Sequence, residues 1–257
     1  MAVAIKKITR IARSAHQIAD DPLMSDANLQ GYWKLENVND SSSNGYNLTN
    51  NGTVTFPVGR FNNGANFVAA SSQYLNIADA SAANLEITGS RTVSFWFKPV
   101  DKTGTYTVFA HDDTTNGWII YQNSWNYQFL IRGLTINTYI NSSPSDGAPG
   151  TVVVGQWQHV VGVYDSANSK LKIWFNGLKT ELTASGSSTN SAADFSIGAR
   201  DKGATVDLYA SGMIDDLAIW NRALTDIELS RLYNGNIKKI GGKTMAQVKK
   251  FMGVSNA

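Results

Sequence analysis

Two carboxylates stand side by side at Asp215 and Asp216, at the mouth of the apolar run Leu217–Trp220. Adjacent acids repel, so the pair needs a cation, a shared proton or hydrogen-bond donors. Three chemistries fit: an enzyme's acid pair, an oxygen clamp for a hard metal ion, or a capped loop end. A second concentration of chemistry is HDDTTNGWIIYQNSWNYQF, residues 111–129. Sugars offer C–H faces to flat rings and hydroxyls to carboxylates and amides. Asp112, Asp113, Asn116, Trp118, Tyr121, Trp125 and Tyr127 are therefore a candidate carbohydrate-binding set. The same stretch also suits a hairpin whose Trp118 and Ile120 simply face a core.

Other reactive groups are sparse. The chain has no cysteine, which removes disulfides and thiolate metal sites. His16, His111 and His159 are scattered, and neither a nucleophile elbow nor a zinc motif occurs. His159, in Trp-x-His, reads as a core or edge histidine. No stretch approaches the roughly 18 apolar residues of a spanning helix. The N-terminus lacks the separate apolar region of a secretory signal.

The elements that must position these groups are strands. In Thr92–Phe97, Val93, Phe95 and Phe97 alternate with polar or half-polar neighbours; in Leu171–Phe175, Leu171, Ile173 and Phe175 do the same. Trp157–Tyr164 and Gly117–Phe129 are further strand candidates. Asn51-Gly52, Asn63-Gly64, Asn116-Gly117 and Asn176-Gly177 are hairpin dipeptides. Many short strands with such punctuation predict an all-β antiparallel sandwich. One helix is expected near the end. Thr225-Asp226-Ile227-Glu228 is a capping box, Ile227, Leu229 and Leu232 supply a buried side, and Gly235 follows as the stop.

Several segments, in order, carry a resemblance: GYWKLENVNDSSSNGYNLTNNGTVTF, GRFNNGANF, YLNI, TVSFWFKP, QWQHVVGVYD, LKIWFNG, FSIGAR and GMIDDLAIWNRALTDIELSRLYNG, between residues 31 and 235. Together they resemble the laminin G-like, concanavalin A-like lectin/glucanase superfamily. The resemblance implies a concanavalin A-like jelly roll of two curved sheets with its terminal strands adjacent. Glycosidases of this fold use a Glu-x-Asp-x-x-Glu strand, with the reacting carboxylates about 5–5.5 Å apart in retaining chemistry. The only glutamates are Glu36, Glu86, Glu181 and Glu228; none has an acid at i+2 or i+4 on an expected strand, and Glu228 belongs to the cap. The reading is therefore non-enzymatic. The resemblance also implies a structural Ca2+, with Asp215 as first ligand, Asp40 as partner from the first loop and Asp216 as a third candidate.

Charge divides the chain into an acidic body and two basic ends. Residues 1–20 hold four basic residues and one acid, and residues 236–257 hold five lysines and no acid. The sequence thus divides into a basic amphipathic N-terminal arm (1–27), a jelly-roll domain (28–235) and a basic C-terminal arm (236–257). Ile5, Ile8 and Ile11 recur at helical spacing in the first arm, with Lys6, Lys7 and Arg10 between them. In the second, IKKIGG and VKKFMG repeat, placing Lys238, Lys239, Lys249 and Lys250 in like contexts. Ile and Ala on the apolar face favour docking on protein over a membrane surface or nucleic acid. The lysine–glycine repeats are similar to those on virion structural proteins of tailed phages. The combined expectation is a decoration protein on a virion's outer surface, phage capsid or tail, its arms binding other virion proteins or further copies of itself in an oligomer or lattice, its body binding cell-surface glycans weakly. A free-standing extracellular lectin and a polysaccharide-cleaving enzyme are the alternatives.

Overall fold

The computed structural model describes residues 21–234 and the backbone of two short strands, Lys239–Ile240 and Lys243–Thr244. The expected N-terminal helix, with Ile5, Lys6, Lys7, Ile8, Arg10 and Ile11, lies outside the described residues, as do Lys238, Lys249 and Lys250. Lys239 falls in the first short strand, which pairs antiparallel with the second.

In chain order the sandwich strands are β1 (Leu29–Trp33), β2 (Thr49–Asn51), β3 (Ala65–Phe67), β4 (Tyr74–Ile77), β5 (Arg91–Pro99), β6 (Thr105–Asp112), β7 (Gly117–Asn123), β8 (Asn126–Ile131), β9 (Leu134–Ile136), β10 (Tyr139–Asn141), β11 (Gln158–Asp165), β12 (Lys170–Phe175), β13 (Leu178–Thr183), β14 (Ser185–Gly186), β15 (Phe195–Ile197), β16 (Arg200–Asp201), β17 (Val206–Asp207) and β18 (Gly212–Trp220). The first sheet runs β1-β18-β5-β11-β12-β13, with β3 also on β18, and the second runs β10-β8-β7-β6-β15-β4-β2. Every pairing is antiparallel, and β1 and β18, the terminal strands, are neighbours as expected for the jelly roll.

Alternation decides what each sheet buries. Val93, Phe95 and Phe97 of β5 and Leu171, Ile173 and Phe175 of β12 enter the central core, where they meet Phe109, Trp118, Phe129 and Phe195 of the second sheet. Each such side chain contributes roughly 1.5–3 kcal/mol on burial. The hairpin between β12 and β13 turns at Asn176 (φ 48) and Gly177 (φ 84), both left-handed, as a two-residue turn demands.

The first sheet's other face is also covered. Helix α1 (Asp226–Asn234) lies on it with Leu229 and Leu232, beside Trp174, Trp220 and Tyr32. Its start is the expected capping box: Glu228 accepts from the Thr225 N–H at 2.7 Å, and Thr225 Oγ1 accepts from the Glu228 N–H at 3.4 Å. Ile227, expected on the buried side, is 78% exposed. With Leu229 and Leu232 inward, its place on the helical wheel points to solvent.

The folded unit also begins earlier than residue 28. Asp21 caps the short 3-10 turn Pro22–Ser25 and pairs with Arg231 at 2.8 Å, Leu23 is buried, and Asp26 pairs with Arg222. Residues 21–27, expected in the arm, thus belong to the body.

Candidate functional site

The Asp215–Asp216 pair sits where β18 departs from regular pairing. Between Asp215 and Ala218 the register with β5 shifts, and Asp216 takes a left-handed φ of 57. A bulge of this kind re-aims side chains. Asp215 Oδ2 accepts the N–H groups of Arg60 (2.7 Å) and Phe61 (3.0 Å), while the Tyr32 hydroxyl donates to Asp216. The loop carrying Arg60 comes so close that a Cβ on Gly59 would lie 2.6 Å from Asp215 Oδ2. Both acids are fully buried, and Asp215 Oδ1 has no hydrogen-bond partner among the described residues. Burial pushes the Asp215 carboxyl up to about 8; the two N–H donors oppose this, and the charges of Asp216 and Glu36 add to it.

Asp40 has a different task. It accepts from the N–H groups of Tyr32, Ser42 and Tyr46 and from the Ser42 hydroxyl, so its oxygens organise the 40–46 loop. Among the described residues no three acidic or imidazole side chains gather in a way that could hold a metal. The expected trio of Asp215, Asp40 and Asp216 is therefore not assembled as one ligand set. The further acid that acts on Asp215 is Glu36, tied by Asn62 Nδ2 at 2.7 Å to the 59–64 loop. Only the spatial return of that loop onto β18 brings Glu36 into play.

The 111–129 region spans the end of β6, the turn after it and the hairpin β7–β8, and its alternation divides the expected sugar set. Trp118 and Tyr127 are buried in the central core. They cannot act as stacking platforms, because the pleat turns them inward with Ile120 and Phe129. Asp112 is fully buried and held by Arg132 (2.7 Å) and Arg200 (3.4 Å). Asp113 caps its own turn through the N–H groups of Thr115 and Asn116. Trp125 lies in the turn at the far end of the hairpin, about 20 Å of strand away from Asn116. These seven residues are therefore not one site.

Of the set, Tyr121 and the buried Asp112 lie on the outer side of the second sheet. The register partner of Tyr121, Gln128, accepts from its hydroxyl, and Gln128 Nε2 donates to Asn141 Oδ1 at 2.9 Å. Burial raises the Tyr121 hydroxyl above its ordinary value, so it stays neutral at physiological pH. The outer face continues to Tyr139 on edge strand β10, 47% exposed. Tyr139, Asn141, Ser143 and Pro144 face Thr180 and Leu182 of β13 across a cleft of about 400 Å3. The β16–β17 ribbon roofs the other side of this face, with Arg200 held by Asp207 at 2.8 Å and by Asp112. Sequence reading missed Tyr139 because β10 is only three residues long and its relation to β13 is a contact between sheets.

Two antiparallel sheets over one core, one with a polar outer face, define a jelly roll of lectin/glucanase type. Residues 69–230 match the family model of the concanavalin A-like lectin/glucanases superfamily, and the chain belongs to that superfamily. Among solved structures, it resembles domain 4 of AbnA, a GH43 extracellular arabinanase from Geobacillus stearothermophilus, in complex with arabinotriose. The two are 20% identical over 80% of this chain and 98% of that chain, with a TM-score of 0.57. The binding domain of botulinum neurotoxin DC in complex with SialylT is 15% identical over 81% of this chain and 51% of that one, with a TM-score of 0.61. A structure of botulinum neurotoxin type C, whose cell entry depends on two ganglioside molecules, is 15% identical over 83% of this chain and 52% of that one, with a TM-score of 0.63. This chain thus spans about half the length of the neurotoxin chains it matches. Identities at this level show the fold alone. No curated protein matches the chain in sequence.

Proposed function

We propose that this chain is a non-enzymatic carbohydrate-binding module whose ligand lies in the cleft beside Tyr139. One observation carries the reading: an exposed ring, Tyr139, shares a cleft with the amide of Asn141 and the hydroxyl of Thr180. A sugar ring laid on Tyr139 would present its hydroxyls to those groups, and the Tyr121–Gln128–Asn141 chain would hold the amide in place. Relatives of this fold solved with arabinotriose or with SialylT add support for saccharide ligands. Titration of arabinose and sialylated oligosaccharides by calorimetry should find a ligand. Tyr139→Ala should then weaken it at least about tenfold, because stacking on one ring is worth on the order of 1 kcal/mol or more. Melting should be unchanged, since the ring is solvent-facing. Equal affinity in Tyr139→Ala would remove the cleft from consideration.

The non-enzymatic part rests on the acids. Every glutamate is engaged: Glu36 with Asn62, Glu86 with Asn190, Glu181 with lysines of β12 and β13, and Glu228 with Arg222 and the cap. Turnover of a polysaccharide, abolished by a single carboxylate substitution, would overturn it.

A Ca2+ at Asp215 is part of the proposal. The ion takes six to eight oxygens, and the unpartnered Oδ1 of Asp215 fits one position, with Asp216 and Glu36 as the acids nearby. It would place a positive charge beside the unpartnered Oδ1 of Asp215. The folded-state value of Asp215, about 8, lies above the unfolded 3.8, so without a cation stability from this group falls as pH rises between those values. In EDTA at pH 8, Asp215→Asn should therefore melt higher than the parent, by about 2 kcal/mol of stability once its own unpaired amide hydrogens are counted. Added Ca2+ should raise the parent's melting temperature and leave Asp215→Asn unmoved. A parent indifferent to both Ca2+ and EDTA would sink the ion.

The placement on a virion surface rests on the two basic ends, residues 1–20 and 236–257, whose lysines and arginines suit an acidic partner surface. Many lattice copies would turn weak sugar binding into avidity. Removing both ends should abolish incorporation into particles while leaving sugar affinity intact; unchanged incorporation would leave the free-standing lectin.

A further inference from the structure

Arg91, at the start of β5, is fully buried and has no carboxylate partner among the described residues. Its guanidinium lies 5.4 Å from the Trp118 ring centroid and 5.5 Å from that of Tyr164, and burial pulls it down to about 9. Nε donates to the Gly89 carbonyl (3.0 Å) and Nη2 to Ser188 Oγ (2.7 Å), but Nη1 is buried without an acceptor. A buried guanidinium with neither a counter-charge nor full hydrogen bonding is among the costliest groups a core can hold.

It is not the only orphan there. Trp118 Nε1 and Thr189 Oγ1 are likewise buried without partners. Contacts between neighbouring segments tie the three together. Trp118 lies against Arg91, Thr189 follows Ser188, and the Thr189 carbonyl accepts from Gly117, the residue before Trp118, at 3.0 Å. His111, paired with Trp118 across β6 and β7, has a buried Nδ1 without a partner as well. Its Nε2 meets Asn190 Oδ1 at 3.3 Å, and Asn190 Nδ2 is taken by Glu86, so in the neutral ring Nδ1 holds a lone pair and is no donor. The remaining set is a guanidinium N–H, an indole N–H and a hydroxyl, all donors without acceptors, at one end of the sandwich.

We infer that this end of the sandwich binds a small monovalent inorganic anion of chloride size, held by Arg91 Nη1, Trp118 Nε1 and Thr189 Oγ1 beneath the 187–190 segment. Ser188 and Thr189, half-buried, are the side from which an ion enters. The anion supplies the charge that the fold does not, and it locks the 187–190 segment to β5 and β7. The inference is independent of the saccharide cleft, which lies at the β10 and β13 edges.

The test compares thermal melting of the full chain in sodium chloride and in sodium gluconate at equal ionic strength. Chloride should raise the melting temperature saturably, by roughly 2–4 °C, because a ligand bound only by the folded state stabilises it by mass action. The rise should vanish in Arg91→Met and shrink in Thr189→Val, which removes one hydroxyl from a half-buried position and serves if Arg91→Met fails to fold. Crystals grown in bromide should show an anomalous peak within hydrogen-bond distance of Arg91 Nη1 and Trp118 Nε1. Identical melting in the two salts, a chloride rise that persists in both variants, or a water with bromide only elsewhere would each overturn the site.

Discussion

Asp112→Ala should lose about 3–5 kcal/mol of folding free energy, the range for removing one partner of a buried ion pair. Asp112 is fully buried, with Arg132 donating to both its oxygens (2.7 Å to Oδ2, 3.2 Å to Oδ1) and Arg200 donating to Oδ1 at 3.4 Å. Alanine leaves both guanidiniums without that acceptor. Arg132 turns partly to solvent, but Arg200, 15% exposed, keeps only Asp207. The β16–β17 ribbon, which those arginine contacts fasten over β6, should loosen first. Urea unfolding should show a lower midpoint with an unchanged slope, and amide exchange should quicken between residues 200 and 207. A variant with normal stability but weakened sugar binding would return Asp112 to the ligand role that its neighbours in sequence suggested.

Acid should be the second severe perturbation, and His159 its main single-residue cause. The ring is fully buried between Trp96 (centroids 4.9 Å apart) and Tyr233 (5.9 Å), with Nε2 2.9 Å from Ser94 Oγ. Burial, helped by the Arg60 charge nearby, pulls it down to about 3 from an unfolded 6.5. The unfolded chain therefore takes up a proton below pH 6.5 that the folded chain refuses. The His159 contribution is intact above 6.5 and falls by up to about 1.4 kcal/mol per pH unit below it, toward a loss of roughly 4–5 kcal/mol near pH 3, whereas cation-free Asp215 shifts stability the opposite way above pH 3.8. Glu228, pulled down to about 2 by Arg222, erodes in the same direction at lower pH. His159→Gln can keep the bond to Ser94 without titrating. Between pH 6 and 4 its unfolding free energy should fall less steeply than the parent's, by about one proton's worth. Parallel slopes would mean that His159 is protonated in the fold.

The parts of this protein that obey a short repeat were legible in its sequence. The two-residue alternation of β5 and β12 assigned their inner faces correctly, Asn176-Gly177 marked a true hairpin, and Thr225 with Glu228 marked the helix start. Such features are set by sterics and hydrogen bonds within a few residues. The resemblance of the longer segments narrowed the expected sandwich to a concanavalin A-like jelly roll with adjacent terminal strands.

What the tertiary structure alone decided depends on residues far apart in the chain. The 111–129 stretch looked like one polar aromatic surface until the pleat and the turn at Ser124–Trp125 sent its rings to the core, the outer face and the hairpin tip. Asp40 and Glu36 exchanged places near Asp215 because the 59–64 loop folds back onto a bulged β18. Tyr139 gained a cleft only when two sheet edges met, and Arg91 finds Ser188 of the 187–190 segment, but no acid among the described residues, only in the folded chain. Composition and spacing fix which groups a chain carries and which way each strand turns them. Whether a group ends beside a partner, a solvent cleft or nothing at all is settled by contacts between segments dozens of residues apart, and no local pattern encodes those.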